Sequence, residues 1–379
     1  MTHLKWITAA LLSFALIGCG NEAAPPKTPG PTENKEPPAV TEKTEGPATK
    51  PATNEADTKP AETATTPTTP AEKGPAQAEA AVANPLTLVM TIKSKEDEAQ
   101  LKALLTKMLI ASPTENPVTQ AMNKLGIVHD ARFVFLDGKL LVITTYDHDF
   151  ETYIDTFVKE IGHIFDALLV HMADAPKLPV KDNADEFLAY VQKNDLKSFT
   201  SFYSGYPSLS RKDVVELAQK ANVPVEGSPV ANPLTLVLTI KSPEDAAQLR
   251  GVLTKLSSGP PHSSPVDMAM NKLGLVHFAR FVFFENDTKL LVITTYDNDF
   301  EQYIDSFTKE IGPIFDVLLS HSKDAPMLPV QQNSDAFLEY VGKNDLKSFG
   351  TFYSGYPALL VPQIRALQQP AATPAEPTK

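Results

Sequence analysis

Cysteine is almost absent from this sequence, since Cys19 is the only one among 379 residues. A chain with one cysteine forms no internal disulfide, and if that residue is modified the chain has no thiol left for catalysis. Basic residues are also scarce, because 34 Lys and Arg are outnumbered by 46 Asp and Glu and the net charge is -12. Nucleic-acid binding needs clustered Lys and Arg, so we expect no nucleic-acid partner.

The motifs of common catalytic and metal sites are missing as well. The sequence contains no GxSxG, no GxGxxG, no Walker loop and no HExxH. Beyond the first residues there is no apolar run of about 18 residues, which a membrane-spanning helix would need. The sequence therefore predicts no metal site, and no catalytic motif assigns a reaction.

The N-terminal residues have the features of a signal for export. One positive charge lies in Met1–Lys5, an apolar stretch covers Trp6–Ile17, and the string LIGC ends at Cys19. This resembles the lipobox of bacterial lipoprotein signal peptides. The resemblance implies that residues 1–18 are removed and that Cys19 is acylated and anchored in a lipid bilayer. Because Gly20 rather than Asp comes next, the resemblance favours the outer membrane of the cell envelope, facing the periplasm or the exterior.

Residues 19–82 differ sharply in composition from the rest of the chain. They are rich in Pro, Thr, Ala and Glu and contain no aromatic residue. Such a segment cannot bury enough apolar surface to offset the entropy of ordering, so we expect a disordered tether between the lipid and the folded part. Residues 369–379 have a similar composition and are predicted to be a disordered tail.

Most of the remaining chain consists of two copies of one module. LLVITTYDHDFETYIDTF at Leu140–Phe157 returns as LLVITTYDNDFEQYIDSF at Leu290–Phe307. We place repeat 1 at 83–207, repeat 2 at 231–368, and a linker with a short helix at 208–230. Apolar and helical periodicities give the order β-α-(α)-β-β-α-(α)-β in each repeat, ending in FYSGYP. The predicted fold class is α+β: two tandem ferredoxin-like modules (βαββαβ with inserted helices), paired as a barrel-like pseudo-dimer.

The most site-like stretch of each repeat is the acidic corner TTYDxDF. Asp147, Asp149 and Glu151 have the spacing of the first ligands of a calcium loop, but the Gly and Glu that such a loop needs at positions 6 and 12 are Thr152 and Val158. A carboxylate at the start of a helix binds free backbone N–H groups. We therefore interpret the aspartates as helix caps.

The strand motifs VHDARF and VHFARF supply the preferred pocket candidates, His129, Arg132, His277 and Arg280. A spacing of three along a strand places histidine and arginine on opposite faces, with His129 on the side of Ala131. One interpretation is a buried, hydrogen-bonded histidine with a paired arginine. The other is a ligand-binding residue or general base in a cavity between sheet and helices.

Two further sets of residues are candidates. Tyr203 and Tyr353, with Tyr206 and Tyr356, lie near the last strand and either line a pocket or pack. His171 and His321 come after the long helix, where a cation suits the helix end; the alternative role is a haem ligand. No cofactor is predicted, with haem as the alternative.

VHFARFVFF, LLVITTYDxDF, YIDxFxxEIG and FYSGYP together resemble a family of uncharacterised bacterial proteins with a YDGDF-like motif. More remotely, the element order is similar to the dimeric α+β barrel superfamily, which includes haem peroxidases and small monooxygenases. The GxxDG motif of the peroxidases is absent here.

The sequence supports two hypotheses about function. The first is a non-enzymatic, membrane-anchored binding or interaction module for a small-molecule or protein ligand. The second is a haem-dependent or cofactorless oxidoreductase.

Overall fold

The structure, a computed structural model, describes residues 82–109, 116–260 and 262–369. The predicted signal peptide, the predicted acylation site Cys19 and nearly all of the predicted tether and tail lie outside the described residues. No helix in the described part is long and apolar enough to cross a bilayer.

Among its described residues, repeat 1 with the segment after it contains four strands and five α-helices: β1 (Ala83–Thr91), α1 (Lys95–Leu109), α2 (Pro117–Leu125), β2 (Val128–Leu136), β3 (Lys139–Asp147), α3 (Phe150–Leu169), α4 (Ala184–Asn194), β4 (Phe199–Ser204) and α5 (Arg211–Lys220). Repeat 2 returns the same order: β5 (Ala231–Thr239), α6 (Pro243–Leu256), α7 (Pro265–Leu273), β6 (Val276–Phe284), β7 (Lys289–Asp297), α8 (Phe300–Ser320), α9 (Ser334–Asn344), β8 (Tyr353–Ser354) and α10 (Val361–Leu367). The α+β fold of two ferredoxin-like modules is confirmed.

Local sequence signals account for several boundaries. The Asp149 carboxylate accepts a hydrogen bond from the backbone N–H of Thr152 at 2.9 Å, and Asp299 does the same at the start of α8. Gly126 ends α2 with a left-handed φ of 70°, which glycine adopts at no steric cost. The prediction that Asp149 and Asp299 cap their helices is confirmed.

The last strand of each repeat is exchanged between the two modules. The sheet order is β1-β3-β2-β8 in one sheet and β4-β6-β7-β5 in the other, and all strand pairs are antiparallel. Tyr353 pairs with Ala131 of repeat 1, while Tyr203 pairs with Ala279 of repeat 2. Each four-stranded sheet therefore needs a strand from both halves of the chain, which the order of elements alone does not indicate.

Each sheet is covered by its own helices on one face and by the other sheet on the opposite face. The helix side of repeat 1 buries the aromatic stripe of α3, including Phe157 and Phe165. Between the sheets lies a second apolar cluster, whose fully aliphatic part is Val134, Leu141, Ile143, Val237, Val282, Leu291 and Ile293. These side chains come from both repeats, so the repeats share an apolar junction. Burying each such side chain stabilises the fold by about 1.5–3 kcal/mol.

Candidate functional site at the junction of the repeats

A β-bulge positions the two histidines. The register of β2 against β3 shifts between Val128 and Asp130, and the same shift occurs in β6 around His277. An extra residue in one strand breaks the alternation of side chains. As a result both His129 and Arg132 reach across to repeat 2, and the expectation that they lie on opposite faces is wrong.

Six side chains form one hydrogen-bonded chain across the junction: Asp147, His129, Tyr356, Tyr206, His277 and Asp297. Asp147 Oδ1 lies 2.7 Å from His129 Nε2, and His129 Nδ1 lies 2.8 Å from the Tyr356 hydroxyl. The hydroxyls of Tyr356 and Tyr206 are 2.6 Å apart. Tyr206 then contacts His277 Nδ1 at 2.9 Å, whose Nε2 lies 2.8 Å from Asp297. We call this set the junction chain.

Both ends of the junction chain are fixed by the start of a helix. The second oxygen of Asp147 accepts the backbone N–H of Arg211, the first residue of α5, at 2.8 Å. Asp297 accepts the N–H of Val361, the first residue of α10, at 2.8 Å. Each carboxyl thereby satisfies a free N–H group at a helix start, and these contacts hold both ends of the junction chain in place.

The junction chain is sealed from solvent. Its six side chains belong to residues that are 0–2% exposed. Phe278 packs its ring edge against His129, with ring centroids 5.2 Å apart. Burial raises the pKa of the Tyr206 and Tyr356 hydroxyls well above the usual range, and the charge of Asp130 adds to the rise in both. Both tyrosines are therefore neutral donors at physiological pH.

The two predicted arginines cross the junction in opposite directions. Arg132 donates to the Leu234 carbonyl at 2.8 Å and to Thr235 Oγ1, and Arg280 donates to the Leu86 carbonyl at 2.8 Å. Burial lowers the pKa of Arg280 to about 10, which still leaves it charged at neutral pH. These guanidinium groups fasten each repeat to strand β1 or β5 of the other.

One buried acid has no counterpart in the other repeat. Asp130 is 3% exposed, and the equivalent residue in repeat 2 is Phe278. Burial raises the pKa of the Asp130 carboxyl, while the charges of Arg132 and Arg280 oppose the rise. Its Oδ2 atom has no hydrogen-bond partner within the described part of the chain. At this position the two repeats therefore differ, because repeat 1 has an ionisable side chain and repeat 2 has an apolar one.

Tyr203 and Tyr353 lie outside the junction chain. The Tyr353 hydroxyl donates to Asn123 Oδ1 at 2.9 Å and the Tyr203 hydroxyl donates to Asn271 Oδ1 at 3.0 Å. Burial raises the pKa of each hydroxyl to about 12. These two tyrosines tie the exchanged strands to helices α2 and α7.

His171 and His321 are also separate from the junction chain. His171 Nδ1 lies 3.0 Å from Asp97 Oδ1, in the first turn of α1, and His321 contacts Asp245 at the same distance. The hydrogen bond from His171 lowers the pKa of the Asp97 carboxyl. Each histidine thus joins the end of a long helix to the start of the first helix of its repeat.

The residues that sequence reasoning left out of the site are Asp147, Asp297 and Asp130, and it gave Tyr206 and Tyr356 no specific role. A signal was available, because the two aspartates and two tyrosines recur unchanged in both repeats. Asp147 and Asp297 were grouped with the neighbouring helix caps, since spacing alone does not separate their roles.

Open space lies away from the junction chain. An open groove of about 780 Å³ runs along the corner of repeat 2, lined by Pro229, Val230, Asn232, Pro233, Tyr296, Asn298, Asp299, Phe300, Lys347, Ser348 and Leu360. We call it the corner groove. An enclosed cavity between the sheet and helices of repeat 1 measures only about 20 Å³. Within the described ranges no three His, Cys, Asp or Glu side chains are grouped to hold a metal ion.

Comparison with known proteins gives a likeness to solved structures alone. No family model matches the chain, and no curated protein does. A provisionally assigned monooxygenase from Lactobacillus acidophilus NCFM is 10% identical, with a TM-score of 0.24, over 72% of this chain and 96% of that one. Another, from Fusobacterium nucleatum, is 11% identical with a TM-score of 0.29 over 72% and 98%.

An anthrone oxidase-like protein is 8% identical, with a TM-score of 0.22, over 71% of this chain and 88% of that chain. Likeness at these TM-scores carries no argument about what this chain does.

Proposed function

We propose that this chain is a lipid-anchored protein of the cell envelope whose duplicated α+β unit is a binding module. The LIGC string at Cys19 and the long Pro-rich segment after it support the anchor and the tether. The corner groove is the proposed binding site and carries the proposal, because it is an open space of about 780 Å³ lined by both polar and apolar side chains.

The side chains of the corner groove favour an uncharged ligand. Lys347 is already paired with Asp345, and its ammonium group lies 4.9 Å from the centre of the Phe300 ring. Asp299 is engaged as the cap of α8. With these charges compensated, the groove offers aromatic and proline surface from Pro233 and Phe300 next to amide groups. A ligand with an apolar body and a few hydrogen-bonding groups fits this chemistry.

The geometry of the histidines argues against the oxidoreductase alternative at the junction. A general base must reach the substrate within hydrogen-bond distance, but both ring nitrogens of His129 and of His277 are bonded inside the protein. The enclosed cavity of repeat 1, at about 20 Å³, has room for about one water molecule and none for a substrate.

Ligand-observed NMR with a library of neutral aromatic and aliphatic fragments tests the binding site. We expect a subset of fragments to bind, and Phe300→Ala to weaken them because it removes the aromatic side of the corner groove. Phe150→Ala is the matched control, since Phe150 takes the same place in repeat 1 beneath Lys197. Equal loss of binding in both variants, or no fragment binding at all, would contradict the proposed site.

Separate measurements test the anchor and the alternative reaction. Labelled palmitate should enter the wild-type chain and be lost in Cys19→Ala. For the oxidoreductase, protein produced with added haem would show a Soret band that disappears in His171→Ala or His321→Ala. The binding proposal itself is overturned if a substrate is turned over at a rate abolished by His129→Ala together with His277→Ala.

A further inference from the structure

The junction chain contains more hydrogen bonds than its ordinary protonation states can supply. Its five contacts, from Asp147 through the two tyrosines to Asp297, are 2.6–2.9 Å long. Each hydrogen bond needs one proton between its two heavy atoms. Two carboxylates bring none, two neutral imidazoles bring one each and two hydroxyls bring one each, which makes four protons for five bonds.

The shortage does not depend on how the protons are arranged. If both tyrosines donate to the histidine Nδ1 atoms, the hydroxyl oxygens of Tyr206 and Tyr356 face each other at 2.6 Å with only lone pairs between them. If one tyrosine turns toward the other, a histidine Nδ1 loses its proton donor. Changing a histidine tautomer moves the gap to a carboxylate contact. Only one added proton closes the chain.

We propose that the junction chain binds one additional proton, shared between His129 and His277, and that this proton holds the two repeats together in a pH-dependent way. With it, one ring donates from both nitrogens, one tyrosine donates to the other, and the second histidine accepts. The proton can reside at either end, because reversing the two hydroxyls transfers the doubly protonated state from one histidine to the other.

Charged side chains of several elements face the junction chain. The charges of Arg132 and Arg280 act on the buried Asp130 carboxyl. Arg211, the first residue of α5, acts on the chain as well, because its positive charge opposes the rise that burial causes in the pKa of the Tyr356 hydroxyl. Asp130 is the competing site for that proton, because burial raises the pKa of its carboxyl. The hydrogen-bond count places the proton within the junction chain rather than on Asp130, which is not part of that chain.

Substitution of one tyrosine by phenylalanine removes the need for the proton. In Tyr206→Phe the remaining bonds are Asp147 with His129, His129 with Tyr356, and His277 with Asp297. These three bonds require three protons, which two neutral imidazoles and one hydroxyl supply. Tyr203→Phe is the matched control, because Tyr203 is a buried tyrosine three residues earlier whose hydroxyl contacts Asn271 and Arg365 instead.

The proton is observed directly by ¹⁵N NMR of the histidine rings in the full chain. At about pH 7.5, one unit above the ordinary histidine pKa of about 6.5, we expect His129 and His277 together to show the signature of one imidazolium. Both rings should be neutral in Tyr206→Phe, and unchanged from wild type in Tyr203→Phe. Two neutral rings in the wild-type protein, including the case in which Asp130 holds the proton, overturn the proposal without any variant.

Stability gives a second measurement. If the folded chain binds one proton that the unfolded chain lacks, the unfolding equilibrium constant rises about tenfold per pH unit, from the ordinary histidine pKa of about 6.5 up to the pH at which the folded chain releases that proton. We expect this slope in urea unfolding of the wild type and of Tyr203→Phe, and its loss in Tyr206→Phe. Identical slopes in wild type and Tyr206→Phe would overturn the proposal.

Discussion

The residue between the two aspartates of each corner has an unusual backbone conformation. His148 has φ 74° and Asn298 has φ 73°, both in the left-handed region. Left-handed φ costs an ordinary L-residue about 1–2 kcal/mol, and asparagine tolerates it better than histidine. The backbone carbonyl of each residue is held by an asparagine side chain, Asn84 or Asn232.

His148→Gly should therefore stabilise the protein by about 0.5–1 kcal/mol, after the added flexibility of the unfolded chain is taken into account. Urea unfolding measures the gain. Asn298→Gly is the matched change in repeat 2 and should give a smaller gain. A loss of stability in His148→Gly would mean that the imidazole makes a contact worth more than the backbone strain.

At the same scale, sequence reasoning found the residues of the junction but not their arrangement. His129 and Arg132 could be selected as buried polar residues on a strand. The sequence could not show that both side chains point toward repeat 2. The reason is that a β-bulge has no recognisable sequence pattern in an apolar run such as VHDARFVF. Asp147 and Asp149 are two residues apart, yet one binds a histidine and the other caps α3. Only tertiary contact separates such roles.

The exchanged strand is the element on which the junction depends. The backbone N–H of Gly355 donates to the His129 carbonyl at 2.7 Å, and Gly205 does the same to His277. A Cβ atom on Gly355 would lie 2.7 Å from the Val128 carbonyl oxygen, closer than real Cβ contacts occur. Glycine therefore lets the strand approach closely enough for Tyr356 to meet His129.

Gly355→Ala should push the strand away and break the Tyr356–His129 bond. We expect a loss of about 2–4 kcal/mol in the free energy of unfolding, from the steric clash and the buried groups left unpaired. Gly251→Ala is the control, because a Cβ there meets no atom within 4 Å. A Gly355→Ala protein as stable as wild type would show that the strand can shift without cost.

The cap of α3 predicts a dependence on acid. A hydrogen bond from the Thr152 backbone N–H lowers the pKa of the Asp149 carboxyl. A carboxyl whose folded pKa is depressed adds stability above its unfolded value of about 3.9, and that stability is lost as pH falls through the folded pKa. Asp149→Asn should keep the cap and lose this part of the acid dependence, measured by thermal unfolding from about pH 6 to pH 2. Parallel curves for both proteins would contradict it.

Sequence patterns predicted the element order well, because strands and amphipathic helices are set by local periodicity. The long helix of repeat 2 departs from a simple reading of its sequence, because proline usually interrupts a helix and α8 continues through Pro313 from Phe300 to Ser320. Strand exchange had no local signal. FYSGYP is the same in both repeats, so its pattern fits either sheet equally.

For the whole molecule, exchange makes neither repeat complete without the other. The repeats also share apolar surface at Val134 and Val282, and an ion pair joins Lys139 to Glu285 with a 3.1 Å contact. A surface ion pair adds only about 0.2–1 kcal/mol, so the apolar junction and the exchanged strands provide most of the cohesion.

Cutting the chain in the linker should therefore leave two halves that fold only together. We expect residues 82–222 and 223–369, produced in the same cell, to purify as a one-to-one complex. Each half alone would lack the fourth strand of its sheet and would expose the aliphatic face at Val134 or Val282. Produced singly, a half should aggregate or pair with its own copy, with its exchanged strand completing the sheet of the second copy.

The first half should pair with its own copy less well than the second half does. A pair of first halves would bury two Asp130 carboxyls in the junction, whereas the native chain buries one Asp130 beside one Phe278. Sedimentation equilibrium of both halves measures the difference, and Asp130→Phe in the first half should reduce it. A first half that is a stable, folded monomer with native amide-exchange protection would contradict the dependence of each sheet on the other repeat.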